Sequence, residues 1–258
     1  MKISSSDKIK RKTELYDYVI EKQSITIAQM AKDFELSEMT IRRDLIDLEA
    51  QGMIVINRGR VELNTGMSVE VSSGIKSSKM TLEKEKIAKK AVSLIPEGST
   101  IFLDSGTTVQ KLAAELLNYK NLTVVTNSLL VLNTLCMSPA IKVLVLPGIM
   151  QTQGMCMYDA STVRYLEGIH VDMAFLGAEA IDVTAGAMVP DLDDKECKQL
   201  LIKNSRKTVL LADSTKMKRR SMFTFATFNE IDALIIDTKY RSFDKEEFQC
   251  YNTEVVLA

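Results

Sequence analysis

The chain has 258 residues, 46% of them hydrophobic, which is enough for two domains with a substantial core in the larger one. Its formal net charge of −1 excludes a protein that holds nucleic acid through a global basic field, so any such contact must come from local charge. With no run of about eighteen apolar residues, no apolar signal core in MKISSSDKIKRK, four cysteines without paired spacing and a single histidine, His170, we expect a cytoplasmic protein with reduced thiols, no membrane partner, no metal and no cofactor.

Ser6 or Asp7 can cap a first helix running to about Lys22, with Ile9, Leu15, Val19 and Ile20 on its core face. Lys8, Lys10, Arg11 and Lys12 cluster at its start, either as part of a nucleic-acid face or as an ordinary solvated helix start. The stretch ITIAQMAKDFELSEMTIRRDLIDL, Ile25 to Leu48, contains two short amphipathic helices joined by a turn at Glu35 and Leu36. Thr26 and Gln29 have capping-box spacing, and Ile27, Met30, Ala31 and Phe34 recur at helical intervals. Ser37 is an N-cap for the second helix, in which Ile41, Leu45 and Leu48 share a face. Met39, Thr40, Arg42 and Arg43 point elsewhere. A helix that presents its N-terminal side chains and arginines outward suits the DNA major groove, so Ser37 and these four are the candidate DNA contacts. The runs IVIN and RVEL then flank Arg58-Gly59 in a hairpin pattern, adding Arg58 and Arg60 as candidate backbone contacts.

This segment, with MTIRRDLIDLEAQGMI inside it, closely resembles the winged helix-turn-helix of DeoR-type bacterial transcriptional regulators. The wing departs from the family pattern: Arg58, Gly59, Arg60 and Val61 stand where His-Gly-Gly-Ala is usual, which puts the turn geometry in question.

The serine- and glycine-rich stretch NTGMSVEVSSGIKSSK reads as a linker over 64–79, separating a mostly α DNA-binding domain over 1–63, with its helix-turn-helix at about 25–44, from a second domain over 80–258. From Leu82 onward helical segments alternate with β-branched runs: IFLD, TVVT, KVLVL, DMAFLGA, TVLLAD and ALIID. Strand then helix, repeated, predicts an α/β domain with a mostly parallel sheet covered on both faces. Ligands of such sheets gather beyond the carboxyl ends of the strands. There Asp104-Ser105-Gly106-Thr107-Thr108 runs from a strand into a helix N-terminus, an arrangement of free N–H groups and hydroxyls suited to phosphate. The acidic Asp104 would repel phosphate, so it is assigned to sugar hydroxyls or to holding the loop.

LDSGTT, VVTNS, AFLGA and LLADSTK, in this order, look like the effector domain of the same DeoR family, so the resemblance covers the chain from about Lys8 to Asp237. It implies a sugar-phosphate sensor related in fold to ribose-5-phosphate isomerase, which also oligomerises the chain. Asp104, Ser105, Gly106, Thr107 and Thr108 would then form the phosphate loop, Asn127 a polar wall and Lys216 a cation facing the ligand. Glu196 and Lys198 match the family helix after the glycine-rich turn, and read equally well as solvated surface. The implied function is a transcriptional repressor of a carbohydrate-metabolism operon: a homo-oligomer that binds a double-stranded operator and answers to a phosphorylated sugar. The alternative is a sugar-phosphate isomerase fused to a DNA-binding head. Ribose-5-phosphate isomerases carry Asp-Gly-Ala-Asp where this chain has Leu176-Gly177-Ala178-Glu179, and Leu176 cannot abstract a proton. Glu179 and Asp182 remain, without a lysine expected beside them, so no catalytic residue and no enzyme are expected.

Overall fold

The computed structural model describes residues 5–50, 53–63, 76, 80–238 and 245–258. Apart from Lys76, the expected linker over 64–79 lies outside the described residues, as do the side chains of Ser6, Asp7, Ile9 and Ile20.

The N-terminal domain starts with α1 (Ser5–Lys22), which buries Leu15, Tyr16 and Val19. A three-residue strand, β1 (Ser24–Thr26), leads into α2 (Ile27–Asp33), whose N-cap Thr26 accepts from the Gln29 amide at 3.2 Å. Glu35, at φ 53°, makes the tight turn. The Ser37 hydroxyl accepts from Thr40 N at 3.2 Å and opens α3 (Glu38–Ala50), which buries Ile41, Leu45 and Leu48 completely. Next, β2 (Ile54–Asn57) and β3 (Arg60–Leu63) pair antiparallel with Asn57 opposite Arg60. Arg58 and Gly59 both have positive φ, 47° and 78°, which is what a two-residue type I′ turn requires, so the unusual wing sequence still makes a tight turn. β1 pairs with β3 to give the order β1-β3-β2. Three residues carry no readable period, and this strand was not expected from the sequence.

Two of the four basic residues at the start of α1 turn inward. Arg11 Nε donates to Asp44 Oδ2 at 2.6 Å and Lys12 pairs with Asp47, so both tie α1 to α3. Asp44 is only 3% exposed, and a buried carboxylate is costly without such a partner. These two are packing residues of the domain, not a nucleic-acid face; Lys8 remains exposed.

In the C-terminal domain, α4 (Thr81–Val92) precedes β4 (Thr100–Leu103), α5 (Thr107–Glu115), β5 (Leu122–Thr126), α6 (Leu129–Leu135) and β6 (Ile141–Val145). A short hairpin, β7 (Met150–Gln151) and β8 (Cys156–Met157), leads to α7 (Ala160–Leu166) and β9 (Val171–Leu176). Then come β10 (Ala180–Asp182), β11 (Gly186–Val189), α8 (Leu192–Asn204), β12 (Ser205–Ala212), β13 (Phe223–Ala226), β14 (Ala233–Ile236) and β15 (Glu254–Leu257). Seven strands form one sheet in the order β15-β14-β12-β9-β4-β5-β6, with every neighbouring pair parallel. All six expected strand runs are in it; β15 is an addition.

Side chains alternate across that sheet. Phe102, Ala174, Leu176, Leu210 and Leu234 pack on one face with α7 and α8. Ile101, Leu103, Phe175, Val209, Leu211 and Ile235 pack on the other with α4, α5 and α6. Burial on both faces is why these runs read as continuously apolar. Removing an aromatic side chain such as Phe102 or Phe175 from water is worth about 1.5–3 kcal/mol. A second, antiparallel sheet, β10-β11-β13, begins shortly after the carboxyl end of β9. It depends on Gly186, at φ 96°, where an added Cβ would lie 2.2 Å from the Ala226 carbonyl oxygen.

Candidate functional site

The outward side of α3 is open. Met39 is 72% exposed, and Arg42, Arg43 and Arg58 are exposed as well. Arg42 approaches Glu38, one turn earlier, at 4.0 Å. Thr40 is half-buried and shares a 2.9 Å hydroxyl hydrogen bond with Ser37. Arg60 lies along the wing, donating to Ser24 Oγ at 2.9 Å with Glu62 4.0 Å away. α3 thus presents Met39, Arg42 and Arg43 on its outward side, and the β2–β3 turn presents Arg58, while Ser37 acts first as a helix cap.

Beyond the carboxyl ends of β4, β9 and β12 lies a cavity. Ser105 and Gly106 form its floor, and α5 begins there. Gly106, at φ 115°, adopts a conformation that other residues seldom hold and offers no side-chain cap, so the first turn of α5 opens at the cavity wall with Thr107 and Thr108 lining it; the Thr107 hydroxyl donates to the Lys76 carbonyl at 3.4 Å. Gly177 stands opposite, where a Cβ would come within 3.3 Å of the Ser105 carbonyl. Lys76, Lys84, Lys198, Lys216 and Arg219 supply cations, and Glu179, Asp194 and Asp213 supply carboxylates. Tyr16 and Met53, both from the N-terminal domain, complete the wall.

The charges are tightly organised. Glu179 is 5% exposed and lies 2.7 Å from Lys76 Nζ and 3.4 Å from Lys216 Nζ. Burial alone would raise its carboxyl, but Lys216, Lys76 and Arg219 outweigh that and hold it at about 2. Burial pushes the Lys84 ammonium down to about 8 even though Asp213 draws it the other way, and its Nζ donates to the Lys76 carbonyl. Lys216 is also lowered by burial, against the pull of Glu179. Burial pushes the Cys197 thiol up to about 12, helped by Asp194, which leaves it an inert packing group.

Two expected ligand groups are placed elsewhere. Asp104 is 1% exposed and does not line the cavity; its Oδ2 accepts from Gly177 N at 2.8 Å and from Lys198 Nζ. It holds the loop, the second of the two roles expected for it. Asn127 is 2% exposed and likewise absent from the wall; its backbone carbonyl accepts from Met157 N at 2.8 Å, while its side-chain Oδ1 is buried with no hydrogen-bond partner among the described residues. The Glu196–Lys198 pair splits: Glu196 is solvated, while Lys198 is buried between Asp104 and Asp194, which raise its pKa although burial opposes them. Ser105, Gly106, Thr107, Thr108 and Lys216 are brought together as expected. The lysine not expected beside Glu179 is present twice, as Lys76 and Lys216.

Lys76, Lys84, Arg219 and Tyr16 were missed. Lys84 carried a signal, since it falls in register with Ile87, Ala88 and Ala91 on the buried face of α4, where a lysine needs a reason.

This constellation, a winged helix joined to an α/β cavity rich in cations, agrees with two family models that match the chain. One is the DeoR-like helix-turn-helix domain, over residues 11–66, and the other the DeoR C-terminal sensor domain, over 79–238. The chain belongs to the DeoR family of transcriptional regulators. The regulator is 31% identical to the glycerol-3-phosphate regulon repressor of Escherichia coli (strain K12), over 88% of this chain and 91% of that one. It is 32% identical to the transcriptional repressor GlcR of Bacillus subtilis, over 88% and 87%. Among solved structures, ribose 5-phosphate isomerase A from Methanocaldococcus jannaschii aligns over 52% of each chain, with 23% identity and a TM-score of 0.37.

Proposed function

We propose that the regulator represses a carbohydrate-metabolism operon and is controlled by a phosphorylated sugar bound in the strand-end cavity. The observation that carries this reading is the convergence, in one cavity, of the uncapped N-terminus of α5 with Thr107, Thr108, Lys84, Lys216 and Arg219. Helix amides and a favourable dipole suit a phosphoryl group, and the cations add charge-assisted hydrogen bonds. Relatives named as repressors of a glycerol-3-phosphate regulon and of the aga operon, the second putative, support a carbohydrate signal. The DNA contacts in this reading are Met39, Thr40, Arg42 and Arg43 of α3 with Arg58 of the wing, presented in pairs by a homo-oligomer to operator half-sites.

Binding without turnover is the better reading of the same cavity. A general base works best with a pKa near the working pH, whereas Glu179, pinned by two lysines, sits at about 2. The test is a thermal-shift screen against sugar phosphates, unphosphorylated sugars and inorganic phosphate. A ligand at about a hundred times its dissociation constant stabilises by roughly 2.7 kcal/mol. The expected result is a selective hit, recovered unchanged, that is weakened by Lys216→Ala while operator binding persists. Chemical conversion of the sugar would return the isomerase reading, and the loss of operator binding by a folded Lys216→Ala variant would contradict the division between the two domains.

A further inference from the structure

We propose that the effector site is shared between the two domains: Tyr16, from the DNA-binding domain, touches the bound ligand, which thereby fixes the position of the reading helix. This rests on reading the cavity as the effector site. Tyr16 belongs to α1, yet it walls the cavity and its hydroxyl accepts from Arg219 Nη1 at 3.4 Å, across 203 residues of sequence. Arg219 is raised by Tyr16, Glu179 and Asp213 together although burial opposes them, so it faces the interior of the charge cluster with its cation intact.

A neutral phenol at 3.4 Å is a weak partner for a guanidinium, and a phosphoryl oxygen is a far stronger one. A ligand entering beside Lys216 takes that position on Arg219 and receives the Tyr16 O–H as a donor. One turn before Tyr16 on the same helix are Lys12 and Arg11, the residues that grip Asp47 and Asp44 of the reading helix. A single rigid helix therefore joins the ligand contact to α3. A ligand alters an equilibrium only if it binds the two arrangements differently. A site built from both domains meets this condition by construction, because it is complete only when the head is docked as it is here.

The test uses the full-length chain, titrated calorimetrically with glucose 6-phosphate, glycerol 3-phosphate and inorganic phosphate, and its operator affinity measured with and without the tightest of them. Tyr16→Phe is expected to weaken that phosphate about tenfold, as loss of a hydrogen bond to a charged group should. Operator affinity without ligand should stay within about twofold, and the ligand-induced change in operator affinity should shrink by the same factor as ligand affinity. Tyr16→Ala serves as a second variant, its fold checked by melting, in case the ring and not the hydroxyl makes the contact. If both Tyr16 variants bind ligand as the unsubstituted chain does while Lys216→Ala is weakened, the shared site is overturned and the cavity reading survives. If Lys216→Ala is also unchanged, or none of the three phosphates binds the unsubstituted chain, both fall.

Discussion

Lys84 gives the sharpest handle on the cavity, because its protonation falls inside an accessible pH range. The ammonium is 3% exposed and lowered from an ordinary 10.5 to about 8 by burial, with Lys216 and Lys76 adding to the effect against Asp213. A phosphorylated ligand needs this group charged, and binding must raise its pKa by favouring the charged form. Phosphate monoesters lose their second proton near pH 6, so the ligand remains dianionic from pH 7 to 9. Over that window the charged fraction of Lys84 in the free protein falls from about 0.9 to about 0.1, and ligand affinity should fall about tenfold. Lys216, lowered in the same direction, adds to the loss. Stability moves oppositely. A lysine whose folded pKa lies below its unfolded value penalises the folded state fully below about pH 8, and the penalty fades as pH rises toward 10.5. The assay is calorimetric titration at pH 7, 8 and 9 and constant ionic strength, with Lys84→Met in parallel. The variant should bind more weakly at pH 7 and lose most of the pH dependence. A flat affinity from pH 7 to 9, or an equal drop in Lys84→Met, refutes the argument.

On the DNA side, Arg42→Ala and Arg43→Ala should each cost roughly 1–3 kcal/mol of operator affinity in a mobility-shift titration if the residue reads a base; unchanged binding in both would remove α3 from the groove. Asp104→Ala leaves the buried Lys198 with Asp194 alone at 3.4 Å and Gly177 N without its acceptor, and should destabilise the chain by roughly 1–3 kcal/mol in urea, a loss that Asp104→Leu with Lys198→Met largely restores; a cost well under 1 kcal/mol for Asp104→Ala would mean the pair is open to water. Gly186→Ala forces both a positive φ and a 2.2 Å contact with Ala226 and should lower stability by roughly 1–3 kcal/mol, whereas an unchanged melting midpoint would show that β11 can shift away from β13.

The reading helix and the six strand runs were legible because their signals are local: caps, a 3.6-residue period in α3, and continuous apolar runs that only a sheet buried on both faces sustains. The strand-end rule likewise pointed to the loop Ser105 to Thr108, and the family resemblance to Lys216, all of which line the cavity. What escaped was set by long-range packing. Asp104 follows a strand in the position of a ligand group, but Lys198, 94 residues later, closes over it, and no spacing announces that. Asn127 ends its strand in the same manner, yet it is buried away from the cavity. Arg11 and Lys12 resembled a basic patch until α3 brought Asp44 and Asp47 against them. Tyr16 fits the core pattern of α1 so well that its second role, as a wall of a cavity in another domain, leaves no trace in the sequence.

On the proposed reading, the charge balance of the cavity favours a phosphoryl group over a bare sugar. Five cations and three carboxylates line the space, and even with Asp104 counted beneath Lys198 the positive charge is in excess. That excess is felt locally: Lys216 and Lys76 both act to lower Lys84, and Lys76 acts to lower Lys216 in turn. Glu179 offsets part of it as a fixed internal anion between Lys76 and Lys216, keeping the cations in place before a ligand arrives. A hydroxyl would leave this imbalance as it stands. A dianion relieves it, and does so most fully where Arg219 can turn from the Tyr16 phenol to a charged oxygen, so the group that makes the ligand recognisable is also the one that engages the DNA-binding domain.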